Sequence, residues 1–346
     1  MRYWLLLFLL ALPLSLAAGV YETVITYPSV DQHGEPVMLS GKVSVPTGKE
    51  AKGVMLVLHY TIGANKEVPS SCTPYEAKQF RKDYVLIMPD YIGYGATKDR
   101  FPPYLHGALT AQNSVDMIPY AQQVLDSLQY AIRIDSLFVI GFSQGAAAAL
   151  WTLKLLEEQY SSQYHVTHCF IGSGPYNVAA TYDDAVSSNK VGMPMAVPLL
   201  VMGTSVSYDL NLSREQLFTP YMDKRFDELI ASKKHGLMDL FMRMPKHNLS
   251  AWLSDTGRDK TQPETQRLYE GLLRSSLLHD GISPVWTPKA PLYVFHSTQD
   301  DVVTFHCAEH LQNRYPNEPN ITYDFGPYGS HLKSLFKFFS RVKEQL

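Results

Sequence analysis

The sequence predicts an α/β fold: a mostly parallel central sheet with flanking helices, interrupted late in the chain by an inserted helical cap. Three observations carry this. Six apolar runs of strand length recur along the chain without in–out alternation, the pattern of strands buried on both faces. Helical patterns lie between several of them, an order that builds parallel pairs through crossovers. One connection breaks the alternation: over a hundred residues separate Gly174 from Pro291, where a crossover needs only about 10–20.

Residues 20–27 and 36–45 alternate and are β-rich, with Asp31-Gln32-His33-Gly34 between them as a hairpin turn. An antiparallel pair therefore starts the sheet. The apolar runs follow at 53–59, 84–90, 137–142, 166–171, 291–296 and 321–325. Helices are expected at 108–128, from Ala146 to Glu158, at 303–314 and at 331–344. Pro119 predicts a kink or early break in the first of these, because proline lacks the N–H and clashes with the preceding turn. Within the interruption, helical periodicity stands out at 215–232, 237–243 and 265–278. The same segment carries seven methionines, among them Met193, Met202 and Met242. These flexible side chains suit either a plain core or a surface that adapts to a ligand. The expected division is a core from 19–174 and 290–346, with a cap at 175–289.

The first 18 residues are a separate object. Arg2, an apolar stretch at 4–14 and the small residues Ala17 and Ala18 match a secretory signal peptide. The stretch is shorter than the ~20 residues a membrane span needs, and no cysteine near it offers a lipid anchor. An exported protein is expected, secreted or periplasmic, without a stable membrane anchor. A net charge of −3 gives no basic surface for nucleic acid. Cys72, Cys169 and Cys307 are odd in number, so at least one thiol is unpaired within the chain. Cys169 fits a buried free thiol, and Cys72 with Cys307 is the pair that could bridge. Asn211, Asn248 and Asn320 each begin an N-x-S/T sequon.

The chemistry centres on Gly141-Phe142-Ser143-Gln144-Gly145. It lies between an apolar β-branched run and an alanine-rich helical segment, the strand–turn–helix context in which G-x-S-x-G presents a nucleophilic serine. The glycines are required because side chains at 141 and 145 would collide with the adjacent strand and helix. Serine is a poor nucleophile until a base takes its proton and a carboxylate orients that base. Asp300 and Asp301 follow the fifth apolar run. Asp300 with Val303 forms the D-x-x-V pattern and is the favoured acid, with Asp301 as a helix cap or surface charge. His331 follows the last strand and is the expected base; His59, His296, His306 and His310 are not so placed. The tetrahedral oxyanion needs fixed N–H donors. Gln144 supplies one, and Thr61 or Ile62, after the first apolar run, supplies the other. Tyr60, Tyr91, Tyr94, Tyr104 and Tyr176 are expected to border the site, where flat walls suit rings. Asp90, before the serine, braces the loop at 91–95.

Together these residues resemble the α/β-hydrolase superfamily and, more narrowly, the secretory lipase family of yeast lipase A-like serine esterases. Ser71-Cys72-Thr73-Pro74-Tyr75, Pro89-Asp90-Tyr91-Ile92-Gly93-Tyr94-Gly95 and Tyr328-Gly329-Ser330-His331-Leu332 carry the narrower likeness. The resemblance implies the α/β-hydrolase fold and serine-dependent hydrolysis of a small-molecule, lipid or carbohydrate-linked carboxylic ester, with no metal and no organic cofactor. Two rival readings are a serine peptidase on the same fold and a non-catalytic binding protein that keeps it.

Overall fold

The N-terminal hairpin forms one edge of an eight-stranded sheet. In the computed structural model, residues 19–278 and 286–346 are described, so the signal peptide expected at 1–18 lies outside them. Strand β1 (Gly19–Val30) pairs antiparallel with β2 (Pro36–Thr47), and β2 pairs antiparallel with β4 (Val85–Pro89). The remaining pairings are parallel, through β3 (Val54–Leu58), β5 (Ser136–Phe142), β6 (His165–Gly172), β7 (Leu292–Ser297) and β8 (Ile321–Gly326). The spatial order is β1-β2-β4-β3-β5-β6-β7-β8.

The unbroken apolar runs have their cause here, because both sheet faces are covered. Leu56, Leu58, Val139 and Ile171 pack on one side with Leu150 and Leu153; Met55, Val57, Phe170 and Phe295 pack on the other with Phe80, Phe338 and Phe339. The covering helices are α1 (Tyr75–Phe80), α2 (Gly107–Asp116), α3 (Ile118–Ser127) and α4 (Gln144–Gln159). The helix expected at 108–128 is broken at Met117, and Pro119 sits in the first turn of α3, where its missing N–H costs nothing.

Among the described residues seven α-helices follow β6 before β7 begins: α5 (Val178–Ser188), α6 (Ala196–Ser207), α7 (Arg214–Leu217), α8 (Pro220–Phe226), α9 (Leu237–Arg243), α10 (Asp255–Arg258) and α11 (Pro263–Ser275). Their interior is a cluster of its own, built on Leu217, Phe218, Met222, Phe226, Trp252 and Leu272, into which the core loop contributes Tyr104. Met195, Met222 and Met244 are packed there, so part of the methionine content is plain core. The single helix expected at 215–232 is split: Pro220 starts a new one and Thr219 caps it, its hydroxyl accepting from Met222 N–H at 3.3 Å. The chain returns through β7, α12 (His306–Arg314), β8 and α13 (His331–Lys343). All three cysteines are free thiols, so Cys72 and Cys307 form no bridge. Among the described residues no helix is long and apolar enough to cross a membrane.

Candidate active site

Ser143 is the single residue between β5 and α4, with φ 56° and ψ −123°. A non-glycine residue holds such a conformation only where its surroundings over-determine it. The packing shows how. A Cβ at position 141 would lie 2.1 Å from the Gly145 carbonyl oxygen, and one at 145 would lie 2.0 Å from that of Leu58. Both obstacles are backbone, so neither can swing aside. Gly145→Ala is expected to destabilise the fold by ~3 kcal/mol or more; an unchanged thermal midpoint would contradict this account of the turn.

β7 and β8 end side by side and deliver the other two groups. His331 opens α13, and its Nδ1 lies 2.8 Å from Asp300 Oδ2 and 3.0 Å from Oδ1. Facing a carboxylate, Nδ1 carries the proton, which leaves Nε2 as the lone-pair nitrogen. Asp300 Oδ1 also accepts from the N–H groups of Val302 and Val303, each at 2.9 Å. Burial would push the Asp300 carboxyl up, but the His331 imidazole and these hydrogen bonds outweigh it and hold the group below its ordinary value. His296 stands 3.8 Å behind Asp300 and donates from Nε2 to the Val303 carbonyl at 3.1 Å. Burial lowers its pKa, so it is neutral. Asp301 has a different partner: its Oδ1 accepts the backbone N–H of His331 at 3.0 Å. The adjacent aspartates thus hold the ring and the main chain of one histidine. The His331 ring also packs on Phe142, the residue before the serine, with centroids 4.9 Å apart.

A cavity of about 950 Å³ opens over this corner. Ser143, Gln144, Thr61 and Asp300 line it on the side of the sheet, and Val178, Met193, Val197, Leu200 and Leu249 on the side of the helices between β6 and β7. Thr61 is anchored by its hydroxyl, 2.7 Å from that of Tyr104. Ile62 does not line the cavity; it packs with Val68 and Tyr94. The backbone N–H groups of Gln144, Thr61 and Ile62 have no acceptor among the described residues.

The four tyrosines Tyr60, Tyr91, Tyr94 and Tyr176 are absent from the cavity lining, and their roles are internal. Tyr91 stacks on His59 at 3.9 Å and is buried. The Tyr94 hydroxyl donates to the Ile62 carbonyl at 3.1 Å. Tyr176 is fully enclosed in the main core, and Tyr60 packs against the opposite sheet face. Of the expected tyrosines Tyr104 lines the cavity, and Tyr182, which was not among them, lines it too. Asp90 accepts the Ser40 hydroxyl at 2.6 Å, and that hydroxyl accepts Ala96 N–H at 2.8 Å, just past the 91–95 loop. Among the described residues no three His, Cys, Asp or Glu side chains are grouped to hold a metal ion.

The sheet order, the strained serine between strand and helix, and the late acid and histidine define an α/β-hydrolase. The solved structure of the rice cell wall degrading esterase LipA from Xanthomonas oryzae superposes with a TM-score of 0.81 at 21% identity, covering 95% of this chain and 91% of that one. Candida antarctica lipase A in its closed state gives 0.66 at 16% identity, over 94% of this chain and 78% of that one. At these identities the likeness is one of fold. The secretory lipase family profile matches residues 76–337, and the chain belongs to that family of lipase- and esterase-type hydrolases. It is 27% identical over 237 residues to the secreted triacylglycerol lipase LIP5 of Malassezia furfur, and 28% identical over 179 residues to LIP5 of Malassezia globosa. These alignments cover 67% and 51% of this chain, but only 56% and 35% of the relatives.

Proposed function

We propose that the protein is an exported serine hydrolase of carboxylic esters, working through Ser143, His331 and Asp300. The observation that carries this is the 2.8 Å contact from Asp300 to His331 Nδ1, beside a serine held at the elbow. That contact leaves Nε2 free to take the Ser143 proton as the hydroxyl attacks the ester carbonyl. The carbonyl oxygen becomes negative. The unengaged N–H groups of Gln144 and Thr61, both on the cavity wall, are the donors for it, and one such donor is worth about 10²–10³ in rate. His331 returns the proton to the leaving alcohol, and water then resolves the acyl-enzyme by the same route. The insertion at 175–289 serves as a cap that supplies the apolar far wall, which suits an acyl chain.

Labelling with a fluorophosphonate probe, with the modified peptide mapped, tests the reading; an intact enzyme that is not labelled at Ser143 overturns it. A panel of esters and peptide amides separates esterase from peptidase. The cap predicts its own result. Val197→Trp fills the cap side of the cavity, so kcat/KM for a dodecanoyl ester should fall ~10-fold or more, with an acetyl ester changed less than about threefold. Equal losses on both would show that the cap wall does not contact the acyl chain.

A further inference from the structure

Behind the loop that carries Thr61 lies a carboxyl group with no part in the chemistry above. Glu76, in the first turn of α1, is fully buried. Its Oε1 accepts the backbone N–H of Tyr60 at 3.1 Å, while its Oε2 is buried without a hydrogen-bond partner among the described residues. Burial pushes this carboxyl up to about 7. An ionisable group enclosed with half its acceptor capacity unmet is costly to keep, and a purely space-filling role would be met by an apolar side chain.

What it holds is specific. His59 Nδ1 lies 2.7 Å from the Tyr60 carbonyl oxygen; a carbonyl only accepts, so the ring N–H donates. That carbonyl shares a peptide unit with the N–H of Thr61. In a planar trans peptide the two point in opposite directions, so fixing one aims the other. Further along, Glu67 Oε2 accepts Gly63 and Ala64 N–H at 2.9 and 3.1 Å. Between Tyr60 and Ala64, side-chain carboxyls take every backbone N–H except those of Thr61 and Ile62. Only Thr61 of these two faces the cavity.

We propose that Glu76 is a positioning residue for ester hydrolysis: from behind the loop it fixes the Tyr60 backbone so that the next peptide presents its N–H to the oxyanion. The inference rests on the reading above, in which Thr61 N–H is one of the two oxyanion donors. Glu76 touches no substrate, so its loss should act on the transition state and not on ground-state binding.

The test compares Glu76→Met, which fills the volume without an acceptor, and Glu76→Gln, which keeps one. Both are assayed on p-nitrophenyl butyrate and for their rate of fluorophosphonate labelling, well below their melting temperatures; Glu76→Ala replaces the Met variant if that fails to fold. The variant without an acceptor should lose ~10²-fold in kcat with KM within about threefold. Its labelling should slow by a similar factor, because the phosphoryl oxygen meets the same donors. Glu76→Gln should recover kcat to within about fivefold of wild type. A lower melting temperature with unchanged kcat and labelling, or a Gln variant as slow as the Met variant, would overturn the proposal. The wild-type arm separates the two levels: failure of labelling at Ser143 there overturns the site reading and this inference with it. Normal wild-type labelling with unaffected variants overturns the inference alone.

Discussion

Ser143→Ala should lower kcat for a short activated ester by at least ~10³-fold while leaving the far-UV spectrum and melting temperature close to wild type. The rate loss follows from removing the group that, on the proposed reading, forms the acyl bond. Members of a triad act as a unit, so losing the nucleophile costs about as much as losing all three. The fold should survive because what holds the elbow is backbone and not the hydroxyl. Ser143 N–H donates to the Gly172 carbonyl at 2.8 Å, and its carbonyl accepts from Ala146 N–H at 2.9 Å. Alanine keeps both. The same geometry gives a paired expectation. At φ 56° and ψ −123° a Cβ is strained by ~1–3 kcal/mol, so Ser143→Gly should be as inactive as the alanine variant but melt higher. Substantial hydrolysis by either variant, once contaminating wild type is excluded, would remove Ser143 from the nucleophile's role.

Most of this architecture is legible in the chain because it depends on short-range chemistry. Strands buried on both faces must be apolar throughout, so β3 to β7 announce themselves. The elbow is legible because only glycine fits at 141, against α4, and at 145, where α4 meets Leu58, and Pro119 marks the break between α2 and α3 by its missing N–H. Features that depend on what arrives from elsewhere in the chain are hidden. α6 reads Ala-Val-Pro-Leu-Leu-Val-Met with no polar stripe, so its apolar residues show no helical period. The tyrosines near the motifs in sequence were expected at the site, yet Tyr91 and Tyr94 are spent on bracing loops. Tyr104, expected with them, does reach the cavity, because the helices between β6 and β7 pack against the loop that carries it. Glu67 and Glu76 look like ordinary surface acids in sequence. Their role lies in the loop N–H groups they accept, which no spacing rule encodes.

Asp300→Asn should reduce kcat by ~10³–10⁴, and Asp301→Asn by less than about fivefold. The contrast comes from what each carboxylate holds. In the 300 variant the amide oxygen can still accept from Val302 and Val303 N–H, as Asp300 Oδ1 does at 2.9 Å. That turns the amide NH₂ toward His331 Nδ1. A donor facing Nδ1 selects the tautomer with the proton on Nε2, which can no longer accept from serine. In the 301 variant the amide oxygen still accepts the His331 backbone N–H, now at 3.0 Å, and the ring tautomer is untouched. The pH dependence of stability gives an independent check. Asp300 titrates below its ordinary value in the folded protein, so the unfolded chain binds its proton first as pH falls. The stability it contributes is therefore fully present above the unfolded value near ~3.9 and is lost as pH drops through the lower, folded value. The wild-type melting temperature should exceed that of Asp300→Asn by a constant margin above about pH 5, and the margin should shrink below pH ~4. If the 301 variant proves the slower enzyme, or the 300 margin does not change in acid, the carboxylate that orients His331 is the neighbouring one.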